Sequence, residues 1–170
     1  MLLALPSSWR PESCHRPCVS RGSARLGASF QLKSLQDVQR AGDVKVAATG
    51  TWESRRYYLA RDGMGFSFHN TVLYRNKTTL IWYKHHFEAV FVTRGTGTIE
   101  VVQPGQKRGE GVSYQLAPGS AYALDKHDRH YLSAGPDQDL EVVCAFAPAL
   151  VGDEDHDEDG AYLPAKSTEL

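Results

Sequence analysis

An all-β fold, a sandwich or barrel with the jelly-roll double sheet as the leading form, is predicted by three features of this sequence. From Tyr57 onward, short β-rich runs follow one another at close spacing. Turn signals separate them: Asp62-Gly63, Arg75-Asn76-Lys77, Gly95-Thr96-Gly97, Pro104-Gly105, Pro118-Gly119 and Gly135-Pro136. A length of 170 residues fits one ordinary domain able to bury a core, and no internal repeat interrupts the pattern.

The elements follow in chain order. Residues 1–29 carry Arg10, Arg16, Arg21 and Arg25, several serines and a single acid, Glu12. That is the composition of a transit peptide; an unstructured extension and a start codon placed too early are the other readings. The apolar stretch Met1 to Leu5 is too short for a secretory signal. Cys14 and Cys18 around His15 form one half of a metal motif without a second half, and are read as chance. Ser34 to Gly42 predicts a short helix, capped by Ser34 and ended by Gly42. Strands are predicted over 57–60, 71–74, 79–83, 87–93, 98–102, 112–116, 130–133 and 140–146. The acidic run Asp153 to Asp159, with His156 at its centre, is expected to be a solvated loop. Residues 30–163 are thus expected to form the folded domain and 164–170 a tail.

Composition excludes several classes. A net charge of −1 gives no argument for nucleic acid. No apolar run approaches the roughly 18 residues of a membrane span. Three cysteines, Cys14, Cys18 and Cys144, are an odd and widely spaced set, which points to a reducing compartment rather than a disulfide framework.

The chemistry centres on His86-Phe87-Glu88. Residues i and i+2 of a strand share a face, so His86 and Glu88 can enter one cavity. Alone, Glu88 on an amphipathic strand could equally face solvent; turned inward, its carboxylate costs several kcal/mol unless paired or metal-bound. His130, which opens a later strand, is placed to point inward. His127, in the polar stretch Asp125 to Arg129, is expected to be exposed, and His69 to play a supporting role. Residue chemistry alone proposes His86, Glu88 and His130 as a two-histidine, one-carboxylate set around iron. Tyr122 would then be a bystander, since a neutral phenol is a weak ligand, although a divalent ion can drive it to its anion.

His86-x-Glu88-x6-Gly95 resembles the first metal motif of the cupin superfamily, and Pro118-Gly119 with His130 fits the second. Further blocks narrow the resemblance: Trp52-Glu53-Ser54-Arg55-Arg56, Asp62 to His69, Trp82-Tyr83-Lys84, Tyr122 to Asp128 with His130-Tyr131-Leu132, and His156 to Gly160 with Tyr162. From about Leu32 to Tyr162 the chain resembles the ectoine synthase family. Two segments depart from it: the extension before about Phe30, and Gln103 to Tyr114, whose glycines suggest a longer hairpin loop.

The resemblance implies a cupin-type β-barrel or jelly roll with a short N-terminal helix. It implies a hydro-lyase that closes N-γ-acetyl-L-2,4-diaminobutyrate into the compatible solute ectoine with loss of water, in osmoprotection. It implies a cytoplasmic homodimer without nucleic-acid or membrane partners, organellar targeting by residues 1–29 being the alternative. Its metal, Fe2+ or another divalent ion, would be held by Glu88, Tyr122 and His130, which moves His86 into the pocket. Tyr83, His86, Glu154 and His156 would be catalytic, with Glu154 and His156 as acid and base in either order. Trp52, Arg56, Thr71, Asp128, Cys144 and Phe146 would bind substrate, Arg56 taking its carboxylate. Outside the family, Cys144 would read as an inert buried thiol, Phe146 as core, and Trp52 and Arg56 as a packing pair. A cupin iron dioxygenase and a non-enzymatic solute-binding cupin are the alternatives.

Overall fold

A computed structural model describes residues 30–125 and 128–162. The expectations for residues 1–29, His127 and the tail 164–170 lie outside the described residues.

The helix α1 (Leu35–Arg40) forms where its caps require it. The Ser34 hydroxyl accepts from the Asp37 N–H at 3.2 Å, and the Asp37 carboxylate accepts from the Ser34 N–H at 2.9 Å. Gly42 then leaves the helix at φ 76.

Ten strands follow: β1 (Val44–Val46), β2 (Trp52–Tyr58), β3 (Ser67–Leu73), β4 (Thr78–Ile81), β5 (Phe87–Arg94), β6 (Gly97–Val101), β7 (Val112–Leu116), β8 (Ala121–Leu124), β9 (His130–Ala134) and β10 (Leu140–Ala147). They form two antiparallel sheets, ordered β1-β2-β3-β10-β5-β8 and β4-β9-β6-β7. The double-sheet, all-β expectation is therefore met. Between the sheets lie Leu73, Val92, Leu132, Leu140 and Val142, all buried.

Three strand boundaries differ from the expectation, each for a physical reason. The strand expected at 57–60 is β2, which starts at Trp52, while Ala60–Asp62 is a 3-10 turn. Its polar residues hid it. Arg55 donates to Glu53 at 2.6 Å and to Asn70 at 2.9 Å, so the outward face of β2 is satisfied across strands. For the same reason β3 begins at Ser67, not 71: Asn70, a polar residue, bonds Glu141 at 3.0 Å. The third strand stops at Ile81, because the Trp82 N–H turns away to the Gly160 carbonyl at 2.7 Å. Strands β1 and β8, of three and four residues, escaped the sequence pattern.

Gly95 is required by its surroundings. It sits at φ 82, and a Cβ there would lie 2.2 Å from the Asp139 carbonyl. Residues 102–111 form the hairpin loop between β6 and β7. Its anchor is Glu100, buried on β6, whose Oε1 accepts from Gly109 N–H at 2.7 Å and Gly111 N–H at 2.9 Å. Among the described residues no helix is long and apolar enough to cross a membrane.

Glu100→Ala leaves those two N–H groups without their acceptor. The expected loss is about 1–3 kcal/mol in urea unfolding, with faster amide exchange at Gly109 and Gly111 than elsewhere. Unchanged exchange at these two positions would refute the anchor.

Candidate active site

Strand alternation sends one set of side chains between the sheets. On β2 these are Trp52, Ser54 and Arg56; on β3, His69 and Thr71; on β10, Cys144 and Phe146; on β5, Glu88. Trp52 and Arg56 thus share a face as strand residues four apart. One cavity lies among these strands. Trp52, Thr71, Tyr83, Glu88, Tyr122, Cys144 and Phe146 line it, and His156 and Tyr162 close it.

The acidic run is solvated at Asp153 and from Asp157 to Asp159, as its composition suggests, but not at Glu154. Glu154 is buried against Arg56, itself 1% exposed. Arg56 Nη1 donates to the Gly152 carbonyl and, at 3.3 Å, to Glu154 Oε2, while Nη2 donates to the Glu154 carbonyl at 2.7 Å. The Glu154 carboxylate also accepts from the N–H groups of Val151 at 2.6 Å and Gly152 at 2.9 Å. Further along, Asp155 pairs with Lys45 at 3.5 Å. Gly160, at φ 80, comes so close to β4 that a Cβ would lie 2.5 Å from the Leu80 carbonyl. These contacts carry His156 and Tyr162 over the cavity.

Arg56 and Glu154 therefore face one another and not the cavity. Two expectations concern this pair. A bidentate grip on a substrate carboxylate would require Arg56 to release Gly152 and Glu154. Glu154, with both oxygens engaged in the latch, is not placed to move protons within the cavity. Asp128 is likewise a brace: its carboxylate accepts from the Asp125 N–H at 2.8 Å. His86 is buried beside β5, but its Nδ1 meets the Pro148 carbonyl at 2.9 Å and it does not line the cavity.

A metal fits the remaining donors. His130 is fully buried, and its Nδ1 donates to the Asp128 carbonyl at 2.9 Å. A carbonyl only accepts, so the neutral ring carries its proton on Nδ1 and presents a bare lone pair on Nε2. That Nε2 is buried and has no partner. Burial pushes the His130 imidazole down to about 4, so it stays neutral. Burial pushes the Glu88 carboxyl up to about 8, opposed by a hydrogen bond from the Cys144 thiol. Burial, and then the Glu88 charge, raise the Tyr122 phenol. An unshared lone pair, a carboxyl short of a counter-charge and a phenol beside it are the groups that a divalent cation would relieve. Among the described residues no three His, Cys, Asp or Glu side chains cluster to hold a metal. The His86–Glu88–His130 set is thus not brought together, and a site here needs Tyr122.

Tyr162 carried no assigned role in the sequence reading, yet it is 4% exposed and stacks on His156 at 4.8 Å between ring centroids. Its signal was the glycine two residues before it, which lets the chain approach β4. Ser54 and His69 were also missed as a pair. The Thr71 hydroxyl donates to Ser54 at 3.1 Å, and Ser54 meets His69 Nδ1 at 3.3 Å. Burial pushes His69 down to about 3.

Residues 30–166 match the family described as ectoine synthase. The chain is 52% identical over 132 residues to the L-ectoine synthase of Desulfatibacillum aliphaticivorans, covering 77% of this chain and 95% of that one. It is 44% identical over 137 residues to that of Bordetella petrii, covering 80% and 96%. The crystal structure of ectoine synthase from P. lautus superposes with a TM-score of 0.65 at 40% identity, over 83% of this chain and 96% of that one. A cupin 2 conserved barrel domain protein from Salinispora arenicola, at 11% identity and TM-score 0.54, covers 70% of this chain and 89% of its own, and shares the fold alone.

Two outcomes follow from this geometry. Glu154→Ala leaves Arg56 buried without its carboxylate, and is expected to cost about 3–5 kcal/mol and to expose residues 150–162 to proteolysis. In metal-free protein, a Glu88 carboxyl raised from 4.5 to about 8 favours the folded state at low pH. That contribution is lost as pH rises from 4.5 through about 8, because the unfolded chain releases the proton first. Urea titrations at about pH 5 and about pH 9 should therefore show Glu88→Gln gaining on the wild-type chain with rising pH. A gap independent of pH would refute the assignment.

Proposed function

The chain belongs to the ectoine synthase family, and we propose on that footing that it closes N-γ-acetyl-L-2,4-diaminobutyrate into ectoine with loss of water, as an iron-dependent cytoplasmic homodimer. One observation supports the metal-dependent reading most directly: His130 keeps a bare, buried Nε2, while Glu88 and Tyr122 line one aromatic cavity. A divalent ion held by these three would supply Lewis acidity toward the acetamide carbonyl, a poor electrophile.

The protein's own residues supply the rest. The nucleophile is the substrate's α-amine, so the reaction is intramolecular and the walls must fold the substrate until nitrogen meets carbonyl carbon. Trp52, Phe146 and Tyr162 form apolar walls that exclude water. The amine must lose protons and the departing oxygen must gain them. Tyr83 and His156 line the cavity and are bonded to each other at 2.9 Å, so they belong to the hydrogen-bonded wall that serves that exchange. The Thr71 hydroxyl and Cys144 thiol are the further polar groups of the wall.

Purified protein with ferrous iron should convert the acetylated diamino acid to ectoine, lose the activity on chelation, and regain it on adding the metal. No oxygen should be consumed, which separates cyclisation from a dioxygenase. Tyr122→Phe should bind metal at least about tenfold more weakly while its melting temperature is kept. Full metal content in that variant would sink the three-residue site.

A further inference from the structure

His156 is held between two partners that together settle where its proton lies. On one side the Trp52 indole nitrogen meets Nδ1 at 3.3 Å. Indole N–H is a donor only, so Nδ1 must be the bare nitrogen. Burial pushes the His156 imidazole down to about 4, so the ring is neutral and its single proton sits on Nε2. On the other side Nε2 lies 2.9 Å from the Tyr83 hydroxyl. That contact therefore runs from His156 N–H to the Tyr83 oxygen.

The Tyr83 oxygen, now an acceptor, must send its own proton elsewhere. Its neighbour is Tyr162, whose ring centroid is 4.5 Å away and whose hydroxyl is in hydrogen-bonding contact with that of Tyr83. Each link has one direction: Trp52 to His156, His156 to Tyr83, Tyr83 to Tyr162. The Tyr162 oxygen accepts the last bond, and its O–H is the one donor that the chain leaves unspent. Tyr162 lines the same cavity as Glu88 and Cys144.

We infer that Tyr162 is a catalytic residue, the group that delivers protons to the departing oxygen in the cavity. This rests on the cyclisation proposed above. When the amine nitrogen bonds to the carbonyl carbon, the carbonyl π electrons move onto oxygen. The Tyr162 O–H gives that oxygen a proton, and the phenolate, held by the Tyr83 O–H, takes one from the attacking nitrogen. Tyr162, restored, gives the same oxygen a second proton. The C–O bond breaks, water leaves, the nitrogen lone pair closes the C=N bond, and the phenolate takes the nitrogen's remaining proton, which restores Tyr162. Two protons have then passed from nitrogen to oxygen, with none gained or lost. His156 supports this as a fixed N–H donor and does not itself exchange the proton.

Two measurements test the assignment. The ring 15N shifts of His156 should show a protonated Nε2 and a bare Nδ1. The opposite tautomer, or a doubly protonated ring at neutral pH, would overturn the chain. Tyr162→Phe removes only the hydroxyl; kcat should fall by about 100-fold or more, with KM within about twofold and metal content kept. A kcat within about threefold of the wild-type value would overturn the role. If the variant fails to fold, the His156 tautomer decides. An inactive wild-type protein would instead defeat the cyclisation reading, leaving the tautomer to judge the hydrogen-bond chain.

Discussion

The buried contact between Arg56 and the segment Gly152 to Glu154 is the constraint on which the site depends. A guanidinium withdrawn from water is costly unless its donors are met. The two terminal nitrogens of Arg56 are met by the Gly152 carbonyl and by the carbonyl and carboxylate of Glu154. The chain leaving β10 must therefore fold back over β2 to satisfy it. That return delivers His156 to Trp52 and Tyr83, and Tyr162 to the cavity. Without the latch the barrel would keep its two sheets, but the cavity would lack the residues that close it.

Desolvation is the second organising force. The same burial raises the Glu88 carboxyl to about 8 and lowers His69 to about 3, and His130 and His156 each to about 4. Their neutrality gives the histidines their uses: His130 keeps a lone pair, and His156 keeps one N–H with a fixed direction. Glu88 carries the opposite burden, an acid poorly tolerated as an anion until a positive charge arrives. A dry, apolar cavity also suits a reaction that releases water, since bulk water would oppose the condensation. The hydrogen-bond directions around His156 follow from one donor-only neighbour, Trp52.

Much of the architecture was legible from sequence. Alternation of apolar residues marked β5, β7, β9 and β10, and Ser34, Asp37 and Gly42 marked both ends of α1. The first half of β2 was not legible, because Glu53 and Arg55 look like loop residues until Asn70 and Glu141 are seen beside them. Strand β8 was too short to register, although it carries Tyr122. Within the run 153–159 Glu154 was missed for a related reason: charge density predicts solvent, and only a distant arginine explains a buried Glu154.

The sequence by itself determined the strand-rich class, the alternation along β5, and the block pattern that ties the chain to its family. These are local or pairwise matters, set by alternation and by residue order. The tertiary structure decided which polar groups meet. It separated His86 from the cavity, paired Arg56 with Glu154, and aligned Trp52, His156, Tyr83 and Tyr162. Such contacts join residues about a hundred positions apart, and their formation depends on how two sheets pack, which no local spacing encodes.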